Sequence, residues 1–407
     1  MNHSEKIDHD AVLRARTMLL GSDRLSWRQQ VEAYRVLAEV SPAAYLPKLA
    51  DALTSYRNNH WRTARPEVEL ACHTEAADAA RRIDHGEPNR TEVLCRTLDS
   101  YRRTLLTAGR RAEAFAVCEE MAEAGRLGFE RGHVRSPTYG QWRLATMLAE
   151  EGRHGEAADL HGRAVEAVGD LDAAGRHEEA LAAFTEHVHR VRTATESDAS
   201  SRADLLWELV HRSGMFDAAG RREKAGADRR EALRILARLA EGGEPARRSN
   251  DLGRWSTVFV LSGRAAEPSG TRDAPMPPFG IDRLHWSPDA TESYVAGIPS
   301  LERDVGELTA AGRIAQAVEA HGRLVRRSAV LHERHAHGIE ECLRPLFDEG
   351  VELARRVPDS PEVIARTLTD RAMFLAASAR YGEAHADFAE AVALREGATR
   401  PPIVTRT

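Results

Sequence analysis

A short phrase recurs along this chain: a small residue, Gly and Arg, then Glu-Ala after two further residues. It stands in full at Ala108–Ala114 and Ala174–Ala180, and at Glu151–Ala157 with Glu151 in place of the small residue. Weaker copies follow at Gly220-Arg221, Gly263-Arg264 and Gly312-Arg313, with a variant at Arg380-Tyr381-Gly382-Glu383-Ala384. A recurring unit of this kind is one supersecondary element that buries its apolar face only by stacking on neighbours, so it constrains the architecture before any other feature.

The residues around each copy have helical period. Leu98, Tyr101, Leu105 and Leu106 mark one face, and Gly109 then ends that helix as a C-terminal glycine. The next helix begins near Arg111 and turns Ala114, Val117, Cys118 and Met121 inward. Leu144, Ala145 and Leu148 lead to the stop at Gly152, and Ala157, Leu160, Ala164 and Val168 form the return. Residues 156–173 read either as one helix that closes one hairpin and opens the next, or as two helices broken at Gly169. Two helices joined by a short Gly turn make an antiparallel hairpin, so the chain is expected to be all-α.

These hairpins resemble the tetratricopeptide repeat (TPR) family, in which a small residue packs in the first helix, Gly sits at the turn, and small residues and an aromatic line the second helix. Leu171, Ala180 and Phe184 match around Gly175, and the C-terminal copy matches with Leu368, Ala372, Leu375, Ala384, Phe388 and Ala391. Tyr34, Leu37 and Pro42 are similar to the end of a second helix and its closing proline. The copies are degenerate. His161 replaces the expected aromatic, and turn glycines lie 43 residues apart (109 to 152), 45 (175 to 220) and 43 (220 to 263), longer than the family's period of about 34. The resemblance implies an α-solenoid. The implied domains are TPR-like repeats over 1–265, a Pro-rich loop insertion at 266–300, further repeats over 301–397 and a flexible tail at 398–407.

The insertion holds Pro268, Pro275, Pro277, Pro278, Pro288 and Pro299, with Phe279, His285, Trp286 and Tyr294 among them. Pro268 falls where the family places a packed alanine, so the expected second helix after Gly263 fails. A long loop inside a repeat array is either functional or disordered. Docking on the solenoid, a plain linker and a binding lid all remain open for it. A polar stretch, Asp84–Arg90, reads as a loop between repeats.

A formal net charge of -6 disfavours an unspecific nucleic-acid binder. Lys occurs only at Lys6, Lys48 and Lys224, and the preference for Arg reads as high-GC bacterial coding bias. Cys72, Cys95, Cys118 and Cys342 form no C-x-x-C pair and read as buried, reduced thiols. Met1–Asp10 lacks an apolar core, and no run approaches a membrane span, so a cytoplasmic protein without a secretory signal is expected.

Chemistry-bearing motifs are scarce. His332, Glu333, His335, His337 and Glu341 form the one histidine cluster, but Ala336 stands where a zinc-protease helix needs its second His. His187 and His189 point to opposite sides of a helix. Neither a phosphate loop nor a G-x-S-x-G elbow occurs. No enzyme activity, cofactor or metal is expected.

In the TPR family, partners bind the concave face lined by first helices. Carried over by position, that face includes Arg96, Asp99 and Arg103, then Tyr139, Trp142 and Arg143, then Trp207 and His211, and finally Asn250 and Arg254. Arg96 and Arg103 stack two turns apart and suit a carboxylate or phosphate, although Trp142 and Trp207 equally suit a core. The expected function is a non-enzymatic scaffold or adaptor that holds a protein or peptide partner in this groove. The alternatives are a ligand- or peptide-responsive regulator, and an accessory enzyme with its site under residues 266–300.

Overall fold

The computed structural model describes residues 9–21, 25–59, 65–162, 165–197, 202–242, 249–333 and 339–398. The tail at 399–407, His335 and His337 lie outside the described residues. Among those described, the protein is all-α, with no strand. It divides into two compact units: residues 1–147 with 287–289, and residues 148–286 with 290–407.

The first unit carries α1 (His9–Leu20), α2 (Trp27–Val40), α3 (Pro42–Thr54), α4 (Tyr56–Asn59), α5 (Pro66–Arg81), α6 (Arg90–Thr107), α7 (Arg111–Glu130) and most of α8 (Gln141–Glu150). Its helix starts follow local chemistry. Ser26 caps α2 by accepting from the Gln29 backbone N–H, while the Gln29 side chain accepts from the Ser26 N–H at 3.0 Å. Pro42 and Pro66 occupy the first turns of α3 and α5, where no backbone donor is lost. The polar stretch 84–89 is a loop, as expected.

The second unit carries α9 (His154–His161), α10 (Ala167–Ala173), α11 (His177–Ser197), α12 (Arg202–Ala218), α13 (Arg222–Glu241) and α14 (Ser249–Ser262). It continues with most of α15 (Pro288–Ala296), and with α16 (Ile298–Ala310), α17 (Ile314–His332), α18 (Ile339–Arg355), α19 (Pro361–Ala377) and α20 (Tyr381–Ala398). The chain leaves α9 at Gly162, whose φ of 65° is left-handed. Of the two readings of residues 156–173, the structure has two helices, but α9 ends before Gly162 and Gly169 lies within α10.

The recurring phrase has one geometry. Gly109 takes a φ of 71°, its N–H donates to the Leu106 carbonyl at 3.1 Å, and the Arg110 N–H reaches the Leu105 carbonyl at 2.8 Å. This pair of bonds is a Schellman stop, which satisfies carbonyls that the helix end would leave bare. The same two bonds recur at Gly152, Gly175, Gly220 and Gly312. They recur again at Ala379, an alanine held at a φ of 59°.

Arg then opens the return helix. Its guanidinium grips the Glu three residues on, at 2.6 Å for Arg110–Glu113, 2.6 Å for Arg153–Glu156 and 2.8 Å for Arg176–Glu179. These pairs are exposed and contribute little stability. The alanine that follows does more, because Ala114, Ala157, Ala180, Ala225, Ala317 and Ala384 are all fully buried where the two helices meet. The matched positions Leu368, Ala372, Leu375, Phe388 and Ala391 are buried too.

Gly263 is the exception. Its φ is -98°, and a short 3-10 turn at Arg264–Ala266 replaces the return helix. The segment expected to be loop over 266–300 is irregular only in its first part. Arg283–His285 forms a second 3-10 turn, Pro288–Ala296 forms α15, and α16 begins at Ile298.

In the second unit this segment is docked. Met276, Phe279, Trp286 and Tyr294 are buried with Val260, Leu261 and Val330. The Met276 N–H donates to the Glu150 carbonyl at 3.0 Å, and the buried Glu267 carboxylate holds Arg327 at 2.6 Å. Glycines make the close approach possible. A Cβ added to Gly169 would lie 2.0 Å from the Phe279 carbonyl oxygen, and one added to Gly270 would lie 2.1 Å from that of Glu150.

The turn geometry sets a paired expectation. Gly109 has open space around it, so Gly109→Ala suffers only backbone strain. It should lower unfolding free energy by about 1 kcal/mol, whereas Ala379→Gly should raise it by about 0.5–1 kcal/mol in urea titrations. A change of the same sign in both variants contradicts the left-handed assignment. For the docked segment, Gly169→Ala should open residues 267–287 to limited proteolysis, and Gly155→Ala, where nothing approaches within 4 Å, should not.

Candidate functional site: a chamber in the second unit

The second unit holds a chamber of about 930 Å³ that is half open to solvent. Its walls come from α10, α11, α12, α14, α17, α19 and α20, together with the 3-10 turn after Gly263. A cavity of this size falls at the upper end of the range for small-molecule sites.

One wall is aromatic because helical spacing puts it there. Trp255 and Phe259 lie one turn apart on α14 and stack, with ring centroids 5.2 Å apart and planes 12° from parallel. Phe374 of α19 meets Trp255 at 5.5 Å and stacks on Phe347 of α18 at 4.6 Å. Trp207 of α12 is 1% exposed, and its Nε1–H donates to the Met373 carbonyl at 3.3 Å. Such large rings hold their positions by mutual packing, so the wall is formed without a ligand.

The remaining wall is charged. Asp172 accepts from Arg264 at 2.7 Å and from His177 at 2.6 Å. Burial opposes its charge, but these two partners prevail and hold its carboxyl below the ordinary range. Burial pushes the other way at His211, whose imidazole titrates below the usual range despite Glu208 and Asp172 nearby. Arg326 approaches Asp370 at 3.4 Å, the outer limit of a hydrogen bond. Burial raises the Asp370 carboxyl above the ordinary range, although Arg326, Arg366 and Arg395 all act to lower it. Arg366 itself pairs with Glu319, and Arg395 approaches Asp217 at 3.4 Å.

A second cavity of about 180 Å³ shares Ser262, Ala265, Arg326, Arg366 and Asp370 with the chamber. It opens on Gly263, where the repeat fails. His321 lines it, 2% exposed and pushed toward its neutral form by burial.

The residues expected to form a partner groove fall into separate sets. In the first unit, Asp99 gathers Arg102 at 2.9 Å, Arg143 at 2.8 Å and Arg103 at 3.9 Å. Burial opposes the Asp99 charge, yet Arg102 and Arg143 hold its carboxyl below the usual range. Burial likewise lowers the Arg143 guanidinium to about 10, with Asp99 acting in opposition. Arg143 also lies 3.7 Å above the Trp142 ring, which is 36% exposed. Arg96 does not join this cluster and pairs with Asp51 instead. Tyr139 is half-buried.

In the second unit, Trp207 is no surface anchor but part of the core and the chamber wall. Arg254 reaches Glu208 at 3.1 Å, beside His187, which approaches the same Glu208 oxygen at 3.1 Å. Asn250 lies on the first turn of α14, and its side chain is outside the described residues. Of the histidine cluster, Glu333 is structural, accepting from Arg283 at 2.8 Å and from the Ser256 hydroxyl at 3.0 Å, while Glu341 is exposed. Cys72, Cys95 and Cys118 are buried thiols, and burial pushes Cys95 up to about 12. Cys342, expected to be buried, is exposed, because it faces outward on the first turn of α18.

Sequence reading missed Trp255, Phe259, Arg326, Asp370 and Met373. The spacing of Trp255 and Phe259 by four residues was a usable signal for one shared face. Nothing in the linear order links that face to Arg326 and Asp370.

No family model matches this chain, and no curated protein matches it. Among solved structures it is similar to the crystal structure of BtubC (BKLC) from P. vanneervenii, with 12% identity over 84% of this chain and 96% of that one. The TM-score is 0.20.

Proposed function

We propose that this protein is a non-enzymatic, ligand-responsive binding protein, and that the chamber of its second unit is the ligand site. In this reading the hairpins form a TPR-like α-solenoid that acts on a protein partner in the cytoplasm, and the chamber holds a peptide or small organic molecule. One observation carries it. A formed cavity of about 930 Å³ is lined by indole, phenyl and methionine side chains together with charged groups. Apolar lining with a few convergent polar groups is the usual composition of an organic-ligand site.

A purely groove-binding scaffold is the second reading, and Trp142 favours it. Trp and Arg are both enriched at interface hot spots, and here Arg143 lies above a partly exposed Trp142. The remaining groove charges support that reading less, since Arg96 and Asp99 are taken up in ion pairs within their own unit.

Gly214 tests the chamber. It lies on α12, lines the chamber, and a Cβ there meets nothing within 4 Å. Gly214→Leu should therefore fold normally and fill space that a ligand would use. With 1-naphthaleneacetamide, a neutral bicyclic aromatic, calorimetry should find one saturable site on the full chain, weakened at least about tenfold in Gly214→Leu. Equal affinity in the two proteins, or no binding to either, refutes the chamber as the ligand site.

A further inference from the structure

We infer that the chamber takes a small amphipathic organic acid, an apolar or aromatic body bearing one carboxylate, and that Arg326 is the residue that reads the carboxylate. This rests on the chamber being the ligand site.

The argument starts from unmet hydrogen bonds. Buried polar groups are almost always paired, and each exception asks for an explanation. Three residues of the chamber wall each carry a buried side-chain atom without a partner, namely Trp255 Nε1, Arg264 Nε and Arg326 Nε. All three are N–H donors. Among the described residues, no buried unpartnered oxygen lines the chamber; in the smaller cavity the other unpartnered atom is His321 Nε2, 3.6 Å from Glu349. The missing partner is therefore an acceptor. Two of the three donors belong to guanidinium groups, so an anionic acceptor satisfies them best.

Arg326 is the most committed of the three. It is 8% exposed and stands on the wall shared by the chamber and the smaller cavity. Space for it has been cleared on two sides. A Cβ on Gly263 would lie 2.1 Å from its Cδ and Nε, and one on Gly322 would lie 3.3 Å from its Nη1. Gly322 sits within α17, where glycine is a poor helix former. At Gly263, φ is not left-handed, so the backbone does not demand glycine there. In both places, absence of a side chain serves the guanidinium.

Its counter-ion is weakly engaged. Asp370 stands 3.4 Å away, and burial disfavours its charged form. Arg366 and Arg395 also face Asp370, with Glu319 as the opposing acid. An incoming carboxylate thus meets the guanidinium groups of Arg326, Arg366 and Arg395, with Asp370 and Glu319 as the opposing acids and burial already disfavouring the charge on Asp370. The aromatic wall receives the body of the ligand. Phe259 links the two halves, since the Arg326 guanidinium lies 5.3 Å from its ring centre.

Calorimetry with 1-naphthaleneacetate and 1-naphthaleneacetamide on the full chain separates charge from shape. The carboxylate should bind at least about tenfold more tightly than the amide. Arg326→Gln should cut carboxylate affinity to that of the amide while leaving the amide within about twofold. Gly263→Ala should do the same with every charge retained, because the new methyl displaces the guanidinium, and it decides the matter if Arg326→Gln unfolds. A carboxylate preference that persists in the folded variants overturns the role of Arg326. Equal binding of both compounds, with both weakened by Gly214→Leu, overturns the acid and leaves the chamber standing. No binding of either compound overturns both.

Discussion

The left-handed glycine turn is the constraint on which the rest of this protein depends. A helix that ends in water leaves carbonyls bare, and the Schellman bonds at Gly109, Gly152, Gly175, Gly220 and Gly312 close them while reversing the chain. Reversal within two residues brings the next helix against the last, at a separation that only a small side chain fits. A fully buried alanine follows each of these turns for that reason. Turn, contact distance and packing are thus one device, repeated. The alanine at position 379 performs the turn under strain and shows that geometry, and not the identity of the residue, is what the array preserves.

Where the device is absent, the protein has built something else. At Gly263 the backbone stays right-handed and the return helix is missing, and residues 267–286 pack within the second unit through Phe279 and Trp286. A helix pair would have filled its own interface. A short turn followed by an irregular docked segment leaves space beside α14, and Arg326 occupies the edge of that space. The glycine here serves the guanidinium and not the turn. One residue type has two unrelated uses in the same recurring phrase.

The chamber gathers interactions that are individually ordinary. Stacked aromatic rings make a rigid apolar face, and paired charges make a rigid polar one. Their meeting leaves donors on Trp255, Arg264 and Arg326 without acceptors. Rigid walls with unmet donors are preorganised, so a fitting ligand loses less freedom in ordering the site than it would on a mobile surface.

Helices, turns and the buried alanines were legible in the sequence because each depends on residues within a few positions of one another. The failure after Gly263 was legible too, since Pro268 forbids the continuing helix. The Asp84–Arg90 loop and the apolar faces of α6, α7 and α20 follow from period alone. The break at Gly162 was not legible, because glycine is tolerated within helices and Gly169 offered the same local signal. The chamber belongs to the other class. Arg326 and Asp370 are 44 residues apart, and Trp207 and Met373 are 166 apart. Neither pair carries a local mark, because the energy that joins them comes from packing helices together. The sequence by itself determined where the chain turns and which faces turn inward. Only the tertiary structure decided which inward faces meet, and so where a cavity with unpartnered donors was left.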